Sequence, residues 1–132
     1  MKISTRGRYA LRLMIDIAQN GKDGYVPLRD AARRQDISVK YLEQIVPLLV
    51  RAGLLHGIRG SSGGYRLAAE PESIRAGDIL RAAEGSLAPI ACLDGGDCPK
   101  RGECCTVSFW SGLDDVITEY VDRFRLSELA GR

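Results

Sequence analysis

The tightest constraint on this chain is a glycine-rich pentapeptide, Gly60-Ser61-Ser62-Gly63-Gly64, set between two short strand-like runs. Its small residues read as a flexible turn, so Leu54 to Arg59 and Tyr65-Arg66-Leu67 pair as a hairpin. Three helical patterns precede it. Over residues 5–19, Leu11, Met14, Ile15 and Ala18 recur at helical spacing; Ser4 or Thr5 can cap the start and Asn20-Gly21 ends it. Pro27 suits the first turn of a short second helix carrying Leu28, Ala31 and Ala32 inward. Ser38 caps a third, in which Leu42, Ile45, Val46 and Leu49 form one stripe and Gly53 closes the end. Pro47, inside that helix, should remove one backbone hydrogen bond and kink it.

Three helices followed by a two-stranded hairpin is the order of a winged helix-turn-helix, a mainly α fold with a small β-wing. A fourth helix is predicted at about 75–84, ended by Gly85. Residues 86–106 read as an irregular loop. The last helix is predicted from Val107 to Arg125, with Phe109, Leu113, Val116, Tyr120, Val121 and Phe124 in a stripe near coiled-coil spacing. Only the short Leu126-Ser127-Glu128-Leu129 tail remains to cover it, so the expected cover is a second copy of the chain. The expected division is a DNA-binding unit at 1–85, a cysteine-rich cofactor loop at 86–106, and a dimerisation helix with its tail at 107–132.

No apolar run approaches the roughly 20 residues of a membrane-spanning helix. Lys2, Arg6, Arg8 and Arg12 interrupt the amino-terminal pattern and deny it a signal-peptide core. A cytoplasmic protein is expected. The net charge of +2 conceals an asymmetry: residues 1–66 hold 12 Lys/Arg against 5 Asp/Glu, and residues 67–132 hold 7 against 12. Either the first half meets a polyanion or the charges mix in space. All four cysteines, Cys92, Cys98, Cys104 and Cys105, fall within 14 residues. Such a cluster suits metal binding or redox sensing better than a spread disulfide framework.

The inward stripe of the third helix leaves Val39, Lys40, Tyr41, Glu43 and Gln44 mostly on the outer, amino-terminal side, the part of a recognition helix that reaches base edges. Gln pairs with adenine, Glu accepts from cytosine, and Lys reaches guanine or phosphate. Arg59 and Arg66 flank a hairpin tip without acidic groups, which can approach a phosphate backbone or the minor groove. The expected interface with double-stranded operator DNA is Ser38, Val39, Lys40, Tyr41, Glu43, Gln44, Arg59, Gly60, Ser61, Gly63, Gly64 and Tyr65. The spacing Cys92-x5-Cys98-x5-Cys104 suits a soft metal or an iron–sulfur cluster, with free thiols as the other reading.

The segments Lys2 to Leu11, Ser38 to Ile45, Ala52-Gly53-Leu54, Arg59 to Leu67 and Ala76-Gly77-Asp78-Ile79 resemble the IscR/CymR/NsrR family of bacterial transcription regulators. With the cysteine loop, the resemblance covers nearly the whole chain. It implies a homodimeric winged-helix regulator that binds palindromic operators. It further implies Cys92, Cys98 and Cys104 as ligands of a 2Fe–2S cluster. The histidine of the IscR-like pattern is replaced by Val107, and where NsrR-like relatives offer a carboxylate this chain has Arg8 and Arg12. Cys105, Asp94, Asp97 and Glu103 are the local substitutes for a fourth ligand. His56 lies in the predicted wing and reads as structural.

Two alternatives stand beside the cluster-sensing regulator. One is a cluster-free, CymR-like regulator working through a thiol switch, a zinc site or a protein partner. The other is a thiol oxidoreductase using Cys104-Cys105, against which stands the absence of a Cys-x-x-Cys pair in a βαβ pattern. No catalytic residues are assigned, and no small-molecule substrate is indicated.

Overall fold

Ser4 starts the first helix, α1 (Thr5–Asn20), by accepting a hydrogen bond from the Gly7 amide. The computed structural model describes residues 2–95 and 98–131. After α1 come α2 (Leu28–Gln35) and α3 (Val39–Arg51), then β1 (Leu55–Ile58), β2 (Gly64–Leu67) and α4 (Ala76–Glu84). Beyond the cysteine loop come α5 (Val107–Arg123) and α6 (Leu126–Ala130). The strands pair antiparallel, Leu55 with Leu67 through Ile58 with Gly64. This is the expected winged helix-turn-helix with a long C-terminal helix. Among the described residues no helix is long and apolar enough to cross a membrane.

Local chemistry accounts for the helix ends. The α2–α3 turn is closed by Ile37 N–H donating to Ala32 C=O at 3.0 Å, with Asp36 in the left-handed region at φ 54°. The same arrangement ends α3, where Leu54 N–H donates to Leu49 C=O at 2.9 Å across Gly53, at φ 77°. Pro27 occupies the cap position before α2. The α3 helix continues through Pro47, which is exposed together with Glu43 one turn earlier, leaving the carbonyl that Pro47 cannot bond to solvent.

The core is built from Leu13, Met14 and Ile17 of α1, Leu42, Ile45 and Leu49 of α3, Ile79 of α4, and Leu126. Each such side chain contributes about 1.5–3 kcal/mol by leaving water. Leu126, from the short tail, is 0% exposed. The tail reaches the core because α5 ends at Arg123, two residues before the predicted end. Phe124 turns extended, its carbonyl accepts from Ala76 N–H at 2.9 Å, and Leu126 N–H donates to Ile74 C=O at 2.8 Å.

Two polar clusters fix the helices. Asp16 of α1, 1% exposed, accepts from Arg34 Nη2 at 2.7 Å and Nε at 3.0 Å, and from Gln35 Nε2 at 3.0 Å. This fork holds Arg34 above the ordinary guanidinium value, chiefly through the hydrogen bonds its guanidinium donates to the Asp16 carboxylate. On the other side, Arg81 Nη2 donates to Asp122 of α5 at 2.6 Å and Arg75 approaches it at 3.6 Å. Arg75 also clasps Asp78 through its guanidinium and its backbone N–H. Gly77 sits under this clasp, and a Cβ there would collide with the Asp122 carboxylate. Glu84, at the end of α4, accepts from Ser4 N at 3.0 Å, Ser4 Oγ at 2.5 Å and Gly7 N at 3.1 Å, joining the start of α1 to α4.

Asp16→Ala should cost about 2–4 kcal/mol, because it strips a buried carboxylate from two donors while Arg34 can turn partly to water. Urea unfolding reads this, and a loss below about 0.5 kcal/mol would refute the role given to the fork. Asp78 supplies a pH test. Burial pushes its carboxyl up, but the Arg75 hydrogen bonds and charge, with Arg81, outweigh this and hold it below the ordinary value. Its contribution is therefore complete above about pH 4 and is lost as pH falls through the lowered value. Asp78→Asn should lower stability near neutrality and flatten its fall below about pH 4. Parallel curves for the two proteins would contradict this.

Candidate nucleic-acid interface and cysteine cavity

The first turn of α3 is set by its cap. Ser38 Oγ accepts from Tyr41 N–H at 3.1 Å, and Val39, Lys40, Glu43 and Gln44 project as exposed side chains. The backbone amides of Val39 and Lys40 lie at the positive end of the helix, where phosphate is favoured. Tyr41, expected mostly on the outer side with these residues, turns partly inward. It is half-buried, and its ring meets Tyr9 of α1 edge to face at 5.4 Å between centroids. The Arg12 guanidinium lies 5.3 Å from the Tyr9 centroid.

The hairpin tip is closed by Gly63 N–H donating to Gly60 C=O at 3.0 Å, with Gly60 at φ 112°. Arg59, Gly60, Ser61 and Ser62 are exposed there. Gly64 and Tyr65 do something the sequence did not reveal. Val26, from the loop before α2, exchanges both backbone hydrogen bonds with Tyr65, at 2.8 and 2.9 Å. A Cβ on Gly64 would run into the Val26 carbonyl, so this glycine lets the wing dock against the helix-turn-helix. The Tyr65 ring covers Gly57 of β1. On the opposite strand face Arg66 lies 5.0 Å from the Tyr25 ring centroid, with His56 paired to Arg66 in the register. His56 is thus an exposed wing residue, away from the cysteines in the chain and in its contacts.

The cysteine loop holds two short 3-10 turns, Ala91–Leu93 and Arg101–Glu103. Arg101 Nη2 donates to the Cys92 carbonyl at 2.6 Å and draws the two together. As a result Cys92, Cys98 and Cys104 line one small cavity of about 80 Å³, shared with Ile90, Leu93, Val107 and Trp110. Cys105 is exposed and does not line it. The Thr106 hydroxyl, 3.4 Å from Cys104 Sγ, and the Thr106 and Val107 amides hold the Cys104 thiol below its ordinary value. Three soft donors around one cavity fit a thiolate-ligated metal or cluster. Among the described residues, no three His, Cys, Asp or Glu side chains already stand in a metal-holding arrangement, so the loop would have to close on a ligand. Asp94 and Glu103 are exposed, and Asp97 lies outside the described residues. Val107 occupies the cavity wall with an alkyl group where the resemblance implied a histidine.

The α5 helix has no fully buried residue. Phe109, Val116 and Tyr120 are 65%, 63% and 55% exposed, and Leu113 and Phe124 are half-buried. Val121 leaves the predicted stripe: with Ile117 it faces Ile3 and Leu87 of its own chain. Trp110, in the cysteine cavity wall, packs edge to face on Phe109 at 4.9 Å.

Asp16, Glu84 and Asp122 carry contacts that hold these elements together, and the sequence pattern did not single them out. The one signal for the first was a carboxylate set among the apolar residues Met14, Ile15 and Ile17.

Comparison with known proteins agrees with this geometry. The profile of the Rrf2 family, described as iron-dependent transcriptional regulators, matches residues 3–132. The chain is 39% identical over 129 residues to the transcriptional regulator IscR of Vibrio campbellii, covering 98% of this chain and 77% of that one. The structure of CymR, the global cysteine regulator of B. subtilis, superposes with a TM-score of 0.81 at 40% identity, covering 99% of this chain and 97% of the other. For IscR of T. potens the values are 0.77 and 39%, over 98% and 85%. The chain belongs to the Rrf2 family of transcriptional regulators.

Proposed function

We propose that this protein is a dimeric, DNA-binding transcription regulator whose operator binding is modulated by a 2Fe–2S cluster held by Cys92, Cys98 and Cys104. The observation that carries the cofactor reading is the common cavity of these three thiols at the foot of α5. When bound, the cluster supplies a thiolate-ligated iron centre that can change oxidation state or be lost. Val107 offers no ligand, so the fourth position falls to Cys105, a carboxylate, or a small thiol or solvent species.

In this reading the first turn of α3 enters the major groove, and Arg59 contacts the backbone or minor groove beside it. Phe109, Leu113, Val116, Tyr120 and Phe124 form the contact between two copies, which sets half-sites about one helical turn apart. Trp110 joins the cysteine cavity to Phe109 at the start of that contact. A change in the loop is thereby felt where the two copies meet. The enzyme reading is dropped, because the family is one of regulators.

A cluster-free thiol switch is the second reading. It is favoured by Cys104, whose thiol is held low by the Thr106 hydroxyl and amide, beside an exposed Cys105, and by the likeness to CymR, the global cysteine regulator of B. subtilis.

Anaerobic, iron-replete purification separates the two. The cluster reading predicts a coloured protein containing iron and sulfide, bleached by Ala at Cys92, Cys98 or Cys104, with the fluorescence of Trp110 quenched on loading. Cys105→Ala keeps the colour if the fourth ligand is another group and loses it if Cys105 is that ligand. Absence of iron and sulfide would overturn the cluster and leave the thiol switch. For the interface, Arg59→Ala should weaken binding and reduce the slope of log affinity against log salt by about one. An unchanged slope would remove Arg59 from the phosphate contacts.

A further inference from the structure

We infer that Arg12 is a positioning residue for the recognition helix: it fixes the amino-terminal turn of α3 through the end of α2 and the Tyr9 ring. The inference rests on the DNA-binding reading above and adds a residue of α1 to it.

Arg12 reaches one side of the turn between α2 and α3 directly, at Gln35, and the other through the Tyr9 ring. Its Nη2 donates to the backbone carbonyl of Gln35, the last residue of α2, and its Nε donates to Gln35 Oε1 at 3.2 Å. A cation at a helix C-terminus meets carbonyls that lack helical partners. The amide end of the same Gln35 is held from the other side, by the buried Asp16 carboxylate at 3.0 Å. Gln35 is therefore clasped between two residues of α1 and has little freedom to rotate.

The Arg12 guanidinium also lies against the face of Tyr9, whose ring meets the Tyr41 ring in the first turn of α3. A planar, five-donor group can make the paired hydrogen bonds and the ring contact at once, which an ammonium cannot. Asp36 and Ile37, the connection between the helices, bear the consequence. Their geometry is enforced at Gln35 before the turn and at Tyr41 after it. Base-edge contacts depend on the placement of the helix that carries them, whereas phosphate contacts tolerate more displacement.

The two ways in which Arg12 could matter to DNA binding give different signatures. A phosphate contact acts on every sequence and adds to the salt slope. A positioning role acts on the specific complex alone. The test selects duplexes from a random pool with the full-length wild-type protein, then compares the most enriched duplex with a scrambled one. Arg12→Ala should bind the enriched duplex about ten-fold more weakly, close to the cost of one mismatched base pair, with unchanged affinity for the scrambled duplex and an unchanged salt slope. Arg12→Lys should recover only part of the loss. Tyr9→Leu, which keeps the Gln35 clasp but removes the ring between Arg12 and Tyr41, should show the same selective loss and carries the test if Arg12→Ala does not fold. Equal losses on both duplexes with a slope lower by about one would make Arg12 a phosphate contact and overturn the inference. So would wild-type discrimination in both variants. If the wild-type protein enriches no sequence, the DNA-binding reading fails, a result distinct from either.

Discussion

The carboxylate of Asp16 is the interaction on which the helix-turn-helix depends. It is the one charged side chain among the buried residues described, and leaving it unpaired in that surrounding would be costly. Arg34 and Gln35 meet it from the last turn of α2, so the energetics of the core and the orientation of the helix-turn-helix are the same matter. Any rotation of α2 that improved its own packing would open the fork and strand the charge. From Gln35 the constraint passes through Arg12 to Tyr9 and Tyr41, and so to the turn carrying Lys40, Glu43 and Gln44.

The remaining element contacts are organised around small residues that allow close approach. Gly7 admits Glu84, Gly77 admits Asp122, and Gly64 admits the Val26 carbonyl. Each is placed where an added methyl group would separate two elements: α1 from α4, α4 from α5, and the wing from the loop before α2. The Arg75–Asp78–Asp122–Arg81 cluster then locks α5 against α4 along one face, leaving Phe109, Val116 and Tyr120 on the other. Thus α5 has an inner face committed to its own chain and an outer face suited to a second copy. The cysteine cavity opens at its first turn, with Trp110 and Val107 in the wall.

Features governed by neighbours in the chain were legible in the sequence. Ser4 and Ser38 cap as expected, Gly53 ends α3, and the glycine-rich tip makes the hairpin. What periodicity could not convey were pairings between distant side chains. Nothing local in Ser4 points to Glu84, 80 residues on, and nothing in Val26 announces a bridge to Tyr65. The tail illustrates the same limit. Four residues after a long helix look dispensable, yet two backbone hydrogen bonds to the start of α4 carry Leu126 into the core. Tyr41 was read by its helical position alone, and only the fold supplies the ring of Tyr9 that half-covers it.

In the proposed function, the state of the cysteine loop is felt at the DNA interface through α5. The most direct measurement is the operator affinity of a single anaerobic preparation, taken with the cofactor bound and again after its removal by chelation, at one salt concentration and on one selected duplex. A coupling of the usual size predicts a difference of roughly 5- to 150-fold between the two states. Equal affinity in both states, with the cofactor verified present in one and absent in the other, would contradict it.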